Sequence, residues 1–115
     1  MQLDIDNQKL DKILNDSNKL IKAVGIEMAK MIKRRLNELR AAPNFKAYLD
    51  YNIGKPHLLT SNFSGYFGIS LNKNYRLIVK PIVNNMTLEE LKECKIVNIK
   101  GVVDYHGKKD EWLIP

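Results

Sequence analysis

The chain has 115 residues, of which 44% are hydrophobic, and this length fits one compact domain and is too short for two. Its formal net charge of +6 favours a polyanionic partner, although charge alone does not distinguish nucleic acid from an acidic protein. Residues 1–11 have no apolar leader core, and no apolar run reaches the roughly 18 residues of a membrane span. A cytoplasmic protein that does not bind membranes is therefore expected.

The N-terminal segment is predicted to be a short strand followed by a helix. Polar and apolar residues alternate over 2–5, which is typical of an edge strand. From an N-cap at Asp6 or Asn7, apolar residues recur at helical spacing as far as Val24, so one amphipathic helix is expected there. Gly25 then breaks or redirects the helix, because glycine costs roughly 1 kcal/mol relative to alanine inside a helix.

A second and longer helix is predicted over 26–42, where Pro43 stops it, and one or two further helical turns are expected over 44–52. The exposed side of the longer helix, over 26–42, carries an excess of basic residues, including Lys30, Arg34 and Arg35. Such a charge run is usually a solvated helix face, and the alternative is a surface for phosphate or for an acidic partner helix.

Beyond Pro56 the period of the apolar residues changes from 3.6 towards 2, which predicts an antiparallel sheet. A strand is expected to begin at His57 and to be followed by a returning strand over 66–71. The polar turn at 72–74 leads directly into an apolar run over 75–80, so these two strands are predicted to form a hairpin.

The segment 84–94 is predicted to contain a short helix that connects two strands. Thr87 and Glu90 have the spacing of a capping box. Leu88 and Leu91 are expected to face the sheet from this helix.

The segment from Ile96 to His106 is rich in Val and Ile and is predicted to be a strand buried on at least one face. If side chains alternate to its end, Asp104 and His106 project from one face, roughly 6 to 7 Å apart, and Tyr105 projects from the other. A carboxylate beside an imidazole can orient it for proton transfer near neutral pH. Without further context such a pair is more often a surface hydrogen bond, so both interpretations stand.

These elements predict an α+β fold, in which an N-terminal strand and a two-helix hairpin pack on a twisted, mostly antiparallel sheet of about four to five strands. The predicted organisation is a single domain over 1–115, with a strand in 1–6, helices in 7–50, a sheet in 57–106 and a tail in 107–115. Trp112 in the tail is expected to fold back on the sheet or to contact a partner. Cys94 is the only cysteine, so neither a disulfide nor a metal site is expected.

Five short segments in a fixed order give the chain a family likeness. They are a basic helix end at 35–42, His-Leu-Leu at 57–59, Gly-Tyr-Phe-Gly-Ile-Ser-Leu at 65–71, Asn-Tyr-Arg-Leu-Ile at 74–78 and Val-Asp-Tyr-His-Gly at 103–107. In this order and spacing, the segments resemble the RelE/ParE superfamily of toxins from bacterial type II toxin–antitoxin systems, and within it the HigB-like killer-protein branch.

The resemblance implies a RelE/ParE-like fold and the activity of an mRNA interferase, an endoribonuclease that cuts mRNA in the ribosomal A site without a metal or cofactor. It also implies two kinds of partner. One is the 70S ribosome with its mRNA, and the other is a cognate antitoxin, often with a helix-turn-helix DNA-binding domain, that neutralises the toxin.

By motif, the resemblance assigns catalytic roles to four residues, which are His57, Asp104, Tyr105 and His106. We expect His106 to act as general acid or base, oriented by Asp104, and His57 to act as a second proton-transfer group or phosphate ligand. Tyr105 is expected to bind a phosphate oxygen or to stack on a base. Arg76 is expected to offset charge on the scissile phosphate, and its alternative is a salt bridge to Asp104.

Further basic residues are assigned to binding. Lys55 and Lys108 lie beside the motifs and are expected to contact RNA phosphates, whereas the helix residues Lys30, Arg34 and Arg35 are expected to dock the antitoxin. Where the family usually has Lys-Gly after its His-x-Leu motif, this chain has Thr60 and Ser61, which removes one positive charge near the site.

Two other functions remain open at this stage. One is a ParE-like toxin that binds and inhibits DNA gyrase without cleaving RNA, and the other is an inactive relic that is retained as an antitoxin-binding subunit. The Asp-Tyr-His run favours the enzyme, because a protein that only binds has no need for an acid and an imidazole at one strand end.

Overall fold

The computed structural model describes residues 1–60, 63–104 and 111–114, in which helices pack on one face of a six-stranded sheet. In chain order the elements are β1 (Gln2–Ile5), α1 (Gln8–Leu14), α2 (Ser17–Val24), α3 (Ile26–Ala41), α4 (Phe45–Tyr51), β2 (His57–Leu58), β3 (Phe67–Ser70), β4 (Tyr75–Pro81), α5 (Leu88–Glu93), β5 (Ile96–Asp104) and β6 (Glu111–Ile114).

The region predicted as one helix up to Val24 consists of two helices, so that prediction is wrong. Asn7 caps α1, as expected. The chain then turns, and the Asp16 carboxylate accepts hydrogen bonds from the backbone N–H groups of Asn18 and Lys19 at 3.0 and 3.2 Å. Because an N-cap residue has extended rather than helical backbone angles, this cap starts a new helix.

The break predicted at Gly25 and the long helix after it are both confirmed. Gly25 has φ of 87°, a left-handed value that glycine adopts without a steric penalty. α3 then runs as far as Ala41, two residues before Pro43. Its buried stripe consists of Met28, Ala29, Ile32, Leu36 and Leu39.

The sheet is built around β5, which is hydrogen-bonded on both sides. β4 pairs antiparallel with it along almost its whole length, and the strand order is β1-β5-β4-β3-β2. On the other side, β1 pairs parallel with the first half of β5 and β6 pairs antiparallel with its last three residues. The strand count exceeds the predicted four to five because the tail, including Trp112, folds back as β6.

A β-bulge interrupts β5 at Lys100. Ile78 of β4 pairs with Gly101, but the next residue, Val79, pairs with Ile99, so Lys100 is an extra residue without its own partner. A bulge of this kind shifts the side-chain alternation by one residue. The alternation is therefore interrupted at Lys100 and resumes, shifted by one residue, in the described part of the strand after it.

The short helix α5 has only half of the predicted capping box. Thr87 accepts the hydrogen bond of the Glu90 N–H at 3.2 Å, as expected, whereas the Glu90 carboxylate accepts from the Asn84 N–H at 2.9 Å. Leu91 is buried as predicted. Leu88 is 62% exposed, so the prediction that it faces the sheet is wrong.

No helix in the described part of the chain is long and apolar enough to cross a membrane.

Tyr48 is a fully buried phenol in the core between α4 and the sheet. Its ring lies 5.9 Å from that of Phe45, and its Oη donates a weak hydrogen bond to the carbonyl oxygen of Ile53 at 3.4 Å. Burial raises the pKa of Tyr48 well above its ordinary value, and the nearby Glu38 carboxylate acts in the same direction.

We expect Tyr48 to limit the stability of the protein at alkaline pH. Because its pKa is raised only in the folded state, the unfolded chain loses this proton first as the pH rises above about 10, and the folded state is destabilised. Tyr48→Phe should therefore make the fall in the free energy of unfolding above that pH shallower, as measured by urea denaturation. The control is Tyr51→Phe, since Tyr51 is 53% exposed. Equal pH slopes in the two variants would contradict the assignment.

Candidate functional site

One face of the sheet is covered by helices, and the opposite face, here called the open face, carries a small hydrophobic floor. Leu59, Ile78 and Val103 are buried in this floor, and Phe63 and Tyr66 pack against it. The floor is separate from the main core on the helical side.

His57 lies on the open face because β2 pairs with β3 in a register that sets His57 opposite Gly68. A Cβ atom on Gly68 would lie 3.4 Å from Cε1 and 3.7 Å from Nε2 of the imidazole, so the ring lies over this glycine at van der Waals distance. The Nδ1 atom lies 3.3 Å from the carbonyl oxygen of Lys55. Since a carbonyl oxygen only accepts, this partner favours the tautomer with hydrogen on Nδ1, in which Nε2 can accept a proton.

An aromatic–lysine cluster lies on the same face, and it consists of Phe63, Tyr66, Lys80, Lys100 and Trp112. The ammonium groups of Lys80 and Lys100 lie 5.2 and 5.8 Å from the centroid of the Tyr66 ring. The rings of Phe63 and Trp112 meet edge to face at 5.4 Å, and Trp112 is 38% exposed. Exposed ring faces beside ammonium groups are the features that bind single-stranded nucleic acids.

The bulge in β5 contributes directly to this cluster. Lys100 is the bulged residue, and its ammonium group lies near Tyr66 while it also forms an ion pair with Asp6 at 3.1 Å. Both side chains of this pair are one third exposed, so we treat the pair as orienting Lys100 rather than as a large source of stability.

Asp104 lies on the other side of the sheet from His57. Beyond the bulge, Val102 belongs to the main core and Val103 to the open-face floor, so the alternation returns the next residue to the helical side. In agreement, Asp104 pairs with Tyr75, which packs against the main core. The structure therefore does not bring Asp104 and His57 together.

Three of the residues assigned by sequence lie outside the described residues, namely Tyr105, His106 and Lys108. Arg76 is described and lies on the open face, where its position is paired with Ser70 and Val103. Its Nη1 donates to the carbonyl oxygens of Asn72 and Tyr75 at 2.9 and 3.0 Å, which holds the guanidinium at the β3–β4 hairpin. Arg76 thus shares a face with His57 but is two strands away from it.

The basic residues of α3 do not all behave as predicted. Lys30 and Arg34 are exposed and line a shallow groove on the outer side of the helix. The Arg35 side chain is only 13% exposed, its Nη1 pairs with Glu38 at 2.9 Å, and its Nε donates to the Ser70 carbonyl oxygen at 2.9 Å. The expectation that Arg35 lies on the exposed basic face is wrong, because the side chain ties α3 to β3.

Sequence reasoning missed most of the aromatic–lysine cluster. The hairpin register was a usable signal for Lys80. Phe67 pairs with Val79, so the next residue along each strand brings Tyr66 opposite Lys80. Lys100 had no such signal, since its position depends on the bulge. Trp112 was expected to fold back on the sheet, but its contact with Phe63 depends on the register of β6. Among the described side chains, no three His, Cys, Asp or Glu residues group closely enough to hold a metal ion.

Comparison with known proteins identifies the fold. No protein-family model matches the sequence, and no curated protein matches it. Two solved structures are similar, the YoeB–YefM complex from Staphylococcus aureus and the heterotetrameric YoeB–YefM toxin–antitoxin complex from the same organism. In each, the similarity has a TM-score of 0.55 at 20% identity and covers 93% of this chain and 98% of the matched chain.

This similarity shows that the chain has the RelE-like α+β fold of the YoeB toxins, so the predicted fold class is confirmed. At 20% identity it carries no residue role from those proteins to this one. The HigB-like branch and the catalytic assignments remain predictions.

The position of the His57 ring over Gly68 can be tested without an activity assay. Gly68→Ala should place a methyl group in van der Waals contact with the imidazole, 3.4 Å from Cε1, while Cδ2 of Leu59 at 3.3 Å must give way slightly. We expect a shift of the His57 Cε1–Hε1 resonance in a ¹H–¹³C NMR spectrum, in which only two histidines give such signals. Ser64→Ala is the control, since Ser64 is exposed. An unchanged His57 resonance in Gly68→Ala would show that the ring does not lie over this glycine.

Proposed function

We propose that this protein is the toxin of a type II toxin–antitoxin system and acts as a ribosome-dependent mRNA interferase of the HigB-like branch. The RelE-like fold supports the toxin assignment. The observation that carries the RNA-directed activity is the open face, which an exposed imidazole, His57, shares with the aromatic–lysine cluster. A ParE-like inhibitor of gyrase has no need for an imidazole that can move protons at such a surface.

In the proposed reaction, the 2′-oxygen of a nucleotide attacks the neighbouring phosphorus while the bond from phosphorus to the 5′-oxygen breaks. One group takes the proton of the 2′-hydroxyl, and a second group gives a proton to the 5′-oxygen, which leaves a 2′,3′-cyclic phosphate and a 5′-hydroxyl. Imidazole suits both steps because its ordinary pKa lies near neutrality. The reaction consists of proton transfers and charge stabilisation by cations, so no metal or cofactor is proposed.

Three side chains have proposed roles in this scheme. His57 supplies one proton-transfer group through Nε2, and His106 supplies the other. Tyr105 binds a phosphate oxygen or stacks on a base, whereas Asp104, which lies on the helical side of the sheet, is given no role at the phosphate. Since Asp104 and His57 lie on opposite sides of the sheet, Asp104 is not proposed to act on His57.

Binding of the message is assigned to cations and rings around the proton-transfer groups. Arg76, Lys55 and Lys108 offset phosphate charge close to the reaction. The aromatic–lysine cluster binds neighbouring nucleotides, with ring faces stacking on bases and ammonium groups near phosphates. Lys80 and Lys100 also replace the positive charge that the chain lacks at Thr60 and Ser61.

The proposed partners are the ribosome with its mRNA and a cognate antitoxin of helix-turn-helix type. The exposed pair Lys30 and Arg34 on α3 is the proposed antitoxin contact, because both residues line an exposed groove on this helix, which packs on the opposite side of the sheet from the open face. Arg35 is withdrawn from this surface on account of its burial.

His57→Ala should lower cleavage of mRNA on translating ribosomes by on the order of 10² to 10⁴, the usual value of one positioned acid or base. The assay is purified translation with mapping of the 3′ ends formed, run beside Asp104→Ala and His106→Ala. Lys19→Ala, at an exposed position on α2, is the control. Wild-type cleavage by both His57→Ala and His106→Ala would refute the mechanism, and gyrase-dependent DNA breaks with intact message would favour the ParE-like alternative.

The double substitution Lys80→Ala and Lys100→Ala should weaken binding to a short single-stranded RNA. It should also reduce the slope of log K against log salt by about 1.4, because each lost phosphate contact removes about 0.7 for a single strand. Fluorescence anisotropy with a labelled oligonucleotide at several KCl concentrations measures both quantities. Lys9→Ala with Lys12→Ala removes the same charge from α1, and an equal loss in this control would attribute the effect to net charge alone.

Reversing charge on α3 should disrupt the complex with the antitoxin. Lys30→Glu with Arg34→Glu is expected to abolish co-purification of the cognate antitoxin while leaving RNA cleavage in place, because the two surfaces are separate. Lys19→Glu with Lys22→Glu on α2 is the matched control. A complex of wild-type affinity that buries neither Lys30 nor Arg34 would place the docking surface elsewhere.

A further inference from the structure

The segment that connects α4 to β2 has an unusual backbone directly before His57. Asn52, Gly54 and Lys55 have φ of 55°, 75° and 49°, so three of its four residues from 52 to 55 are left-handed. Left-handed angles are uncommon for residues other than glycine and persist where surrounding contacts determine the conformation. The contacts that hold this segment therefore also set the position of His57.

Ser70 of β3 forms one hydrogen bond to the segment and a second one to Arg35. The backbone N–H of Ser70 donates to the carbonyl oxygen of Gly54 at 2.7 Å, and the carbonyl oxygen of Ser70 accepts from Nε of Arg35 at 2.9 Å. Ser70 thus links the segment to α3 through its two backbone groups. Tyr48 adds a weaker bond to the carbonyl oxygen of Ile53.

Gly54 rests directly on the Arg35 side chain. A Cβ atom at Gly54 would lie 2.8 Å from Nε of Arg35 and 2.7 Å from Cγ2 of Ile69, distances that real Cβ contacts do not show. The Arg35 guanidinium is fixed from its other end by the ion pair with Glu38. Its side chain therefore supports the backbone of Gly54 and bonds to the strand on which that backbone rests.

Two further contacts connect the backbone at Gly54 with the position of the His57 imidazole. Lys55 follows in a left-handed conformation, and its carbonyl oxygen lies 3.3 Å from Nδ1 of His57. The ring is then set over Gly68, which is two residues before Ser70 on the same strand. β3 thus bears both the seat of the imidazole and the anchor of the loop that leads to it.

We propose that Arg35 is a positioning residue that holds the 54–56 backbone so that the Lys55 carbonyl oxygen and the Gly68 seat orient His57 for proton transfer. Arg35 contacts no substrate in this proposal. The part that concerns proton transfer rests on the proposed RNA cleavage, whereas the part that concerns the orientation of His57 does not.

The kinetic test uses Arg35→Met, which keeps the length of the side chain and removes its hydrogen bonds. We expect kcat to fall at least tenfold with KM nearly unchanged, and Arg35→Lys to recover part of the loss because an ammonium group can still donate to Ser70. Glu38→Gln removes the ion pair but leaves the Ser70 bond, so a change of less than twofold is expected. All variants are compared at a temperature where their melting curves show them folded.

A double-mutant cycle separates positioning from a general structural role. If Arg35 acts through His57, Arg35→Met should lower kcat almost no further in a protein that already carries His57→Ala. If Arg35 only stabilises the fold, Arg35→Met should lower kcat by the same factor with and without His57→Ala. Equal factors would overturn the proposal, as would wild-type kcat in Arg35→Met.

A second measurement needs no activity. In Arg35→Met, hydrogen exchange at the Ser70 amide should rise at least tenfold relative to the Ile78 amide of β4, and the His57 imidazole resonance should shift. If the wild type cleaves no RNA but these changes occur, the positioning of His57 is supported and the proposed enzymatic function fails. Unchanged Ser70 exchange and an unchanged His57 resonance would overturn the positioning role whether or not RNA is cleaved.

Discussion

The extra residue at Lys100 in β5 is the constraint on which the two faces of the sheet depend. β4 pairs with β5 both before and after this residue, so the insertion changes which side chains of β5 face the helices. Val97 and Ile99 before it and Val102 after it all reach the main core. One bulge thus keeps the core apolar while it turns Lys100 towards Tyr66 and Asp104 towards the helical side.

The basic residues of this chain serve two different physical purposes. Lys80 and Lys100 on the open face lie beside an aromatic ring, where Lys80 is exposed and Lys100 is one third exposed and paired with Asp6. Arg35 instead donates hydrogen bonds within the protein, to the Glu38 carboxylate and to the Ser70 carbonyl oxygen. A planar guanidinium suits the second purpose because its donors point in fixed directions and can serve a carboxylate and a carbonyl oxygen at the same time.

The left-handed segment before His57 is supported by the same strand that carries the ring. Asn52 and Lys55 have positive φ without being glycine, which costs conformational free energy, and the hydrogen bond between Gly54 and Ser70 helps to offset it. Because Gly54 leaves no room for a Cβ, this support depends on close packing between α3, β3 and the loop. The same contacts set the position of the backbone that leads to His57.

The sequence by itself determined the elements whose signals are local. The cap at Asn7, the stop at Gly25, the long apolar stripe of α3 and the period-2 strands rest on neighbouring residues, and together with the motif order they predicted the RelE-like fold. Only the tertiary structure decided the bulge, the burial of Arg35 and the grouping of Tyr66 with two lysines. These depend on pairing between segments far apart in the chain, where a shift of one residue exchanges the faces of a strand.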